Sequence, residues 1–347
     1  MSANAPLRLL ETTSVELSVE TGERPRTARH GRPGRPKKSA AVEPYAAEAR
    51  CGSNGHVLVA EPGDHDGEDV GVVDPRNKLN ALTSREWIPE TVSVWTQRGL
   101  GAGHPDAQIE RQHPAPFSFT DVSRLVRFFS KPGATVLDPF VGVGSTLKAC
   151  ALEGRRGIGF ELNPRYASLA RERIDKEVLS LLKPRVEQEV HEGDSRLLVK
   201  RLAADSVDFV VTSPPYWNIL HKEDHKANQE RKDHDLDTRY GDDPRDLGNI
   251  ASYEDFLGSL VDILGACAKP LKSKRYMAVV VSDFRDKSRF IMFHADLAAA
   301  LARHQLGLRG IKVLYQRHKK IFPYGYPYAY VPNIHHQYIL ILQNERK

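Results

Sequence analysis

The segment Val136-Leu137-Asp138-Pro139-Phe140-Val141-Gly142-Val143-Gly144-Ser145-Thr146 joins an apolar run to a helix-like one through two glycines. The run Ala134 to Leu137 follows the turn residues Lys131-Pro132-Gly133 and reads as a buried parallel strand. Beyond it, Gly142 and Gly144 punctuate a loop, and Ser145 is placed to cap a helix reaching about Glu153. Gly157-Ile158-Gly159-Phe160-Glu161 makes the next strand. Asn163-Pro164 then opens a helix whose Tyr166, Leu169, Ala170 and Ile174 share one face.

The same alternation runs on to the C-terminus. A short strand precedes Gly193-Asp194, a strand covers Val207 to Val211, and a helix spans about Tyr253 to Ala268. A strand follows at Tyr276 to Val281, and Ile311 to Tyr315 and Gln337 to Leu342 close the series. Strand and helix trading places predict an α/β fold, a mostly parallel sheet with helices on both faces.

In such sheets ligands bind where strands end and helices begin, which is where the glycine segment lies. It is neither G-x-G-x-x-G nor a Walker loop, so a pyrophosphate or triphosphate is poorly provided for. It carries Asp138 instead. A carboxylate there suits a ligand with ammonium and sulfonium groups, which describes S-adenosylmethionine better than a nucleotide phosphate. Glu161 ends the second strand near the ~20-residue offset at which an acid grips ribose hydroxyls, and its plainer reading is a surface carboxylate. Asp194, after the third strand, either holds the adenine edge or forms a Gly-Asp turn.

Ser206-Val207-Asp208-Phe209-Val210-Val211-Thr212-Ser213-Pro214-Pro215-Tyr216-Trp217-Asn218 runs a buried strand directly into two prolines and two aromatics. Consecutive prolines stiffen the loop. A nucleobase amino group is a poor nucleophile because its lone pair is delocalised into the ring. The Ser213 oxygen and the Pro214 carbonyl can each accept one amino hydrogen and turn that lone pair outward, while Tyr216 stacks on an extruded base.

Asp138-Pro139-Phe140-x-Gly142-x-Gly144 with Ser213-Pro214-Pro215-Tyr216 resembles the DNA amino-methyltransferase family, which modifies cytosine N4 or adenine N6, over about residues 79 to 342. The resemblance implies a Rossmann-like class I methyltransferase fold with a seven-stranded, mostly parallel sheet, and S-adenosylmethionine as cofactor. It implies catalytic roles for Ser213, Pro214, Pro215 and Tyr216, and cofactor contacts from Asp138, Phe140, Gly142, Gly144, Glu161 and Asp194. His113-Pro114-Ala115-Pro116-Phe117 is similar to the segment before the cofactor strand, and His336-Gln337-Tyr338-Ile339-Leu340 to the closing strand. Serine before Pro-Pro-Tyr points to cytosine N4, with adenine N6 as the alternative. A cognate restriction nuclease is a further partner that the resemblance raises. The cofactor motif precedes the catalytic one, and the chain stops just after its closing strand, which leaves no room for a separate C-terminal recognition domain. Target recognition then falls to the insert His221 to Asn249, the segment Trp87 to His113, the loop Lys319 to Pro332 or the N-terminal arm.

The 347 residues suit one large α/β domain plus an appendage. Residues 1–78 read as a disordered basic arm and 79–347 as the catalytic domain. From Arg24 to Lys38 the arm carries seven basic residues and no acid, and Arg32, Arg35, Lys37 and Lys38 sit in an AT-hook-like Gly31-Arg32-Pro33-Gly34-Arg35-Pro36-Lys37-Lys38 suited to an A/T minor groove. The bland reading is a solvated basic linker. Lys319 and Lys320 precede interleaved tyrosines and prolines, as a phosphate-gripping, base-stacking surface would, and the alternative is tyrosines packed on the domain. A net charge of +5 fits a double-stranded DNA partner. No membrane-length apolar run, secretory leader or cysteine pair is visible, so a cytoplasmic, DNA-associated protein without a metal is expected. An inactive methyltransferase fold that only binds DNA is a rival, as is an RNA or protein amide methyltransferase. Cytosine-C5 chemistry lacks its Pro-Cys nucleophile, since Cys150 follows Ala149 and Cys267 follows Ala266.

Overall fold

The computed structural model describes residues 71–97, 104, 107–110, 112–113, 117–178, 186–217 and 241–347. The chain divides into two units, 1–50 and 51–347, and every described residue belongs to the second. Arg32, Arg35, Lys37 and Lys38 lie outside the described residues.

The strands are β1 Val94–Thr96, β2 Thr135–Asp138, β3 Arg156–Glu161, β4 Gln188–Glu192, β5 Val207–Thr212, β6 Leu271–Val281, β7 Phe284–Asp286, β8 Arg289–Ile291, β9 Leu306–Tyr315 and β10 His336–Asn344. The helices are α1 Ser84–Glu90, α2 Ala107–Glu110, α3 Phe119–Phe129, α4 Ser145–Leu152, α5 Pro164–Glu177, α6 Ser195–Arg201, α7 Tyr253–Ala266 and α8 Phe293–Leu301. The main sheet has the order β1-β9-β10-β6-β5-β2-β3-β4, while β7 and β8 form a separate hairpin. β10 runs antiparallel to both its neighbours, and the other pairings in the sheet are parallel.

This is the α/β arrangement expected, and among the described residues its sheet has eight strands. The eighth is β1, which extends the edge by pairing Val94–Thr96 with Val313–Tyr315. Three residues with one buried side chain, Trp95, are too short to show a strand period. Tertiary contacts make the strand: the Trp95 ring is buried under the Arg124 guanidinium at 3.8 Å and the Lys312 ammonium at 4.6 Å. Lys312 Nζ also donates to the Glu90 and Val92 carbonyls, at 2.6 and 2.8 Å. The β7–β8 hairpin was likewise not foreseen, and β6 and β9 begin five residues earlier than the apolar runs suggested.

Side chains alternate between two cores, as period-two geometry requires. Val136, Phe209, Val211, Ala278, Val280, Ile339 and Ile341 face the core covered by α3. Leu137, Val210, Met277, Val279, Val281, Leu340 and Leu342 face the one covered by α7 and α8. Helices on both faces explain why β2 and β5 read as unbroken apolar runs. Asn77, inside the stretch read as arm, is fastened to this body: its side-chain oxygen accepts from the Leu79 and Asn80 amides, and its carbonyl accepts from Lys131 Nζ at 2.8 Å.

The chain goes from β2 outward through β3 and β4, then returns to the other side of β2 as β5. The crevice where the order reverses lies at the C-terminal ends of β2 and β5. Both motifs end there.

Candidate active site

β2 and β5 are adjacent and parallel, with Val136 opposite Phe209 and Leu137 opposite Val210. That register brings the residue ending β2, Asp138, beside the residue ending β5, Thr212. Thr212 Oγ1 donates to Asp138 Oδ1 at 2.5 Å, and Thr146 Oγ1 from α4 donates to Oδ2 at 2.5 Å. The Phe140 amide adds a third bond to Oδ1 at 2.9 Å. The Asp138 carboxylate, 2% exposed, is therefore the knot that ties the glycine turn, the first turn of α4 and the double-proline turn. Burial pushes its pKa up to about 6, against the pull of its three donors. It is not among the residues that line the cavity beside it.

α4 starts differently from the expectation. Its N-cap is Gly144, at φ +83°, and Ser145 is the first helical residue. The Ser145 hydroxyl is taken by Arg173 Nη1 at 2.9 Å, which leaves capping to the backbone. A Cβ on Gly144 would sit 3.1 Å from Ala170 Cα on α5, so this position needs glycine for both its backbone angle and its packing. Arg173, fully buried, also binds Glu177 at 3.0 Å and Glu110 at 2.9 Å. It thereby fastens α2, and the His113 segment beyond it, against the glycine turn. His113 packs edge-on to Tyr166 at 4.8 Å, and its Nε2 lies 3.3 Å from where a Gly142 Cβ would be.

A cavity of about 280 Å³ opens at this rim. Its walls bring together Phe140, Gly142, Glu161, Asp194, Ser213 and Pro215, with His113, Asn163 and Tyr166 beside them. Gly144, Asp138, Pro214 and Tyr216 are not among the lining residues. Glu161 Oε2 accepts from the Gly142 amide at 2.9 Å and Oε1 from the Asn163 amide at 2.8 Å. Each oxygen keeps a lone pair free of these bonds, enough to take a pair of vicinal hydroxyls. Burial raises the Glu161 pKa to about 7, the two amides lower it, and the Asp246 and Asp138 charges raise it again. Asp194 is the N-cap of α6, and its carboxylate accepts from Arg196 N and Nε, both at 2.9 Å. It fills the turn-forming reading and lines the cavity as well. Apolar contact from Phe140, Phe160 and Ile263 beside two carboxylates fits a nucleoside joined to a cationic tail, which is the make-up of S-adenosylmethionine.

Part of the wall was not foreseen. Gly241, Asp243, Arg245 and Asp246, the end of the insert assigned to target recognition, line the cofactor cavity. Arg196 Nη2 holds the Arg245 carbonyl at 3.0 Å, and Asn249 Nδ2 holds the Asp243 carbonyl at 2.8 Å. Residues 221–240 of that insert lie outside the described residues. Gln337 is a second addition: its Nε2 donates to the Tyr216 hydroxyl at 2.8 Å, across 121 positions of sequence. Burial raises the Tyr216 pKa to about 12, opposed by hydrogen bonds from Gln337 and Ser213. Gln337 in turn is backed by Gln316, and Gln316 by Gln97, which donates to Asp121 at 2.9 Å. No local pattern announces such a chain of amides; the pairing of β9 with both β10 and β1, and the packing of α3, assemble it.

Lys319 and Lys320 are exposed on the β9–β10 connection, outside the cavity. His336 opens β10 while His335 precedes it, and among the described residues no cluster of three or more His, Cys, Asp or Glu could hold a metal. Among those residues too, no helix is long and apolar enough to cross a membrane.

The family model described as DNA methylase, of the N6/N4 type, matches residues 61–172. Over 96 residues the chain is 32% identical to the type II methyltransferase M.BglI of Bacillus subtilis, covering 28% of this chain and 26% of that one. Over 101 residues it is 37% identical to the type II methyltransferase M.MjaI of Methanocaldococcus jannaschii, covering 29% and 32%. The matches thus span about a quarter to a third of these curated relatives. Among solved structures, the TehB-like SAM-dependent methyltransferase of Corynebacterium glutamicum is 14% identical with a TM-score of 0.37, over 64% of this chain and 86% of that one, a likeness too distant to add to the fold described above. The family match and the type II relatives support the DNA amino-methyltransferase family for this chain, over the stretch they cover.

Proposed function

We propose that the chain is an S-adenosylmethionine-dependent DNA methyltransferase acting on an exocyclic amino nitrogen, with cytosine N4 as the acceptor. One observation carries the reading: Thr212 bonds Asp138 at 2.5 Å, and the turns that follow both residues meet at one cavity, with Ser213 and Pro215 in the same wall as Gly142 and Glu161.

S-adenosylmethionine, when bound, supplies a sulfonium methyl. The chain's own residues do the rest. Glu161 accepts the ribose hydroxyls, Phe140 covers part of the cofactor, and Asp194 stands at the adenine edge. Gly142, in the cavity wall, keeps a Cβ out of the approach, and Gly144 supports the turn by letting α5 pack against it. The Ser213 oxygen and the Pro214 carbonyl would accept the two hydrogens of the target amine and direct its lone pair toward the methyl group, and one of those two hydrogens then leaves as a proton to solvent once the nitrogen is methylated. Tyr216 already has Gln337 and Ser213 as hydrogen-bond partners. With its proton directed to Tyr216, the Ser213 hydroxyl offers its lone pairs to the amine. Pro215 stiffens the turn, and the Tyr216 ring, pinned at its hydroxyl, presents a fixed face to the extruded base.

The serine before Pro-Pro-Tyr supports cytosine over adenine. Lys319 and Lys320 are assigned phosphate contacts, as are Arg32, Arg35, Lys37 and Lys38 of the arm, with double-stranded DNA as the proposed partner and a DNA-associated place in the cytoplasm. A restriction nuclease of matching specificity is the partner suggested by the type II relatives. Incubating the full chain with DNA and isotopically labelled S-adenosylmethionine, then analysing nucleosides by mass spectrometry, tests the reading. N4-methylcytosine is expected. N6-methyladenine would move the acceptor to adenine, and no labelled nucleoside from any DNA supplied would overturn the reading in favour of an inactive DNA-binding fold or a methyltransferase acting on RNA or protein amides.

A further inference from the structure

The β9–β10 connection carries a row of side chains that the fold leaves uncovered. Tyr326 is 82% exposed, Tyr328 94%, Tyr330 89% and Ile321 80%. A folded chain ordinarily hides aromatic rings, and several exposed together mark a surface that meets something else. These three tyrosines do not pack on the domain, whereas Tyr324 is half-buried with its ring 5.5 Å from that of Phe322.

The connection is built to hold its shape. Asn333 clamps it at the base, accepting from the Phe322 amide at 2.9 Å and donating to the Phe322 carbonyl at 2.8 Å. Its tip folds as a turn in which the Tyr328 and Ala329 amides both reach the Gly325 carbonyl, at 2.7 Å. Gly325 has φ +72°, and a Cβ there would collide with the Ala329 carbonyl. Pro323, Pro327 and Pro332 restrict the backbone further. Tyrosine has only two side-chain torsions to immobilise, so a stiff loop of tyrosines binds at low entropic cost.

The chemistry of the row selects its partner. From Gln316 to Gln337 the sequence has no Asp or Glu, while Arg317, Lys319 and Lys320 are exposed at its start. Cations beside bare aromatic faces suit a chain of phosphates and flat bases. The position agrees: β9 ends and β10 begins at the rim where β5 ends, and Gln337, two residues past the connection, is bonded to Tyr216 of the double-proline turn.

We infer that Tyr326, Tyr328 and Tyr330 form a stacking platform for unpaired DNA bases, engaging the strand opened when the target nucleotide leaves the helix. This rests on the proposed amino-methyltransferase function, because an amino nitrogen inside a stacked duplex cannot be reached until its base is extruded, and the bases left behind lose their neighbours. The platform supplies replacement faces without reading sequence.

The test uses the full chain with Tyr326, Tyr328 and Tyr330 all changed to Ala, and a companion with all three changed to Phe. Affinity for a mixed-sequence single-stranded oligonucleotide and for its duplex is read by fluorescence anisotropy across a salt series. Each stacked base lost costs roughly 5- to 150-fold in affinity. The Ala variant is expected to bind single-stranded DNA at least tenfold more weakly, with the salt slope kept because the cations remain. The Phe variant keeps the rings and is expected to match the wild type. S-adenosylmethionine affinity and melting temperature are expected to stay unchanged in both. Equal affinity of the Ala variant and the wild type overturns the inference, as does a Phe variant as weak as the Ala one, which would mean hydroxyl contacts and not stacking. A sedimentation change from dimer to monomer in the Ala variant with DNA affinity intact would assign the row to a second copy of this chain, again overturning it. Methyl transfer by the wild type is scored separately: a wild type that methylates DNA while the Ala variant binds normally sinks the platform alone. A wild type that binds single strands through the tyrosines yet methylates nothing sinks the enzymatic reading alone.

Discussion

The glycine turn after β2 and the tyrosine connection before β10 stand at the same rim of one sheet and solve opposite problems. At the glycine turn nearly every polar group is already satisfied inside the protein: Asp138 by Thr146, Thr212 and Phe140, Glu161 by Gly142 and Asn163, Ser145 by Arg173. At the connection, three rings and an isoleucine face water. A small ligand needs a cavity whose shape exists before it arrives, and internal bonds supply that shape. The polymer inferred for the connection is too large for any cavity and would need a raised, rigid surface, the kind that prolines with a backbone clamp give.

The sharpest way to break this comparison is at Ser213, which belongs to the cavity wall and, on the proposed function, to the target amine. Ser213→Ala is expected to lower methyl transfer on the order of 100-fold or more, the scale for removing one oriented polar contact from a reacting group. S-adenosylmethionine affinity by calorimetry is expected to stay within about twofold, since Glu161 and Phe140 are untouched. Undiminished transfer would remove Ser213 from the chemistry.

Asp138→Ala comes next, because it strips three internal donors of their acceptor. Leaving buried donors unpaired costs about 1–3 kcal/mol, and the turn it holds should loosen. A lower melting temperature together with a roughly tenfold or greater loss of cofactor affinity is expected. Lost affinity with unchanged melting would instead mean that Asp138 touches the ligand.

The smallest effect tests Glu161 by pH. Its carboxyl titrates near pH 7, raised by burial, and only the ionised form can accept both ribose hydroxyls. Bound hydroxyl donors favour that form, so cofactor binding should release a proton around pH 7, seen as a buffer-dependent binding enthalpy. Affinity should fall by at most tenfold per unit as pH drops below about 7. Stability moves the other way: the native state keeps a proton that the unfolded chain has lost between about pH 4.5 and 7, so this group makes folding less favourable as pH rises through that window. Glu161→Gln should abolish the proton release. Its persistence in that variant would assign the titration elsewhere.

Much of this was legible beforehand for reasons that can be stated residue by residue. β2 and β5 announced themselves because strands covered on both faces must be apolar throughout. Asn163-Pro164 marked the start of α5 because a side-chain cap and a proline in the first turn are local chemistry, and Asn163 does accept from the Arg165 amide. Ser145 misled because a serine beside a helix start looks the same whether it caps or bonds a distant arginine. The place of the insert's tail in the cavity wall was not legible, because length and charge mark a loop without saying which surface it closes.

Composition and short-range periodicity were enough to specify an α/β sheet, the rim at which its ligands bind and the residue types gathered there, since burial and capping act within a few positions of the chain. The meeting of Thr212 with Asp138, of Gln337 with Tyr216 and of Arg173 with Glu110 depended on strand register and helix packing over separations of 74, 121 and 63 positions. So did the outward turn of three tyrosines. Whether a ring is buried is settled by what else competes for the interior, and that competition is visible only once the chain has folded.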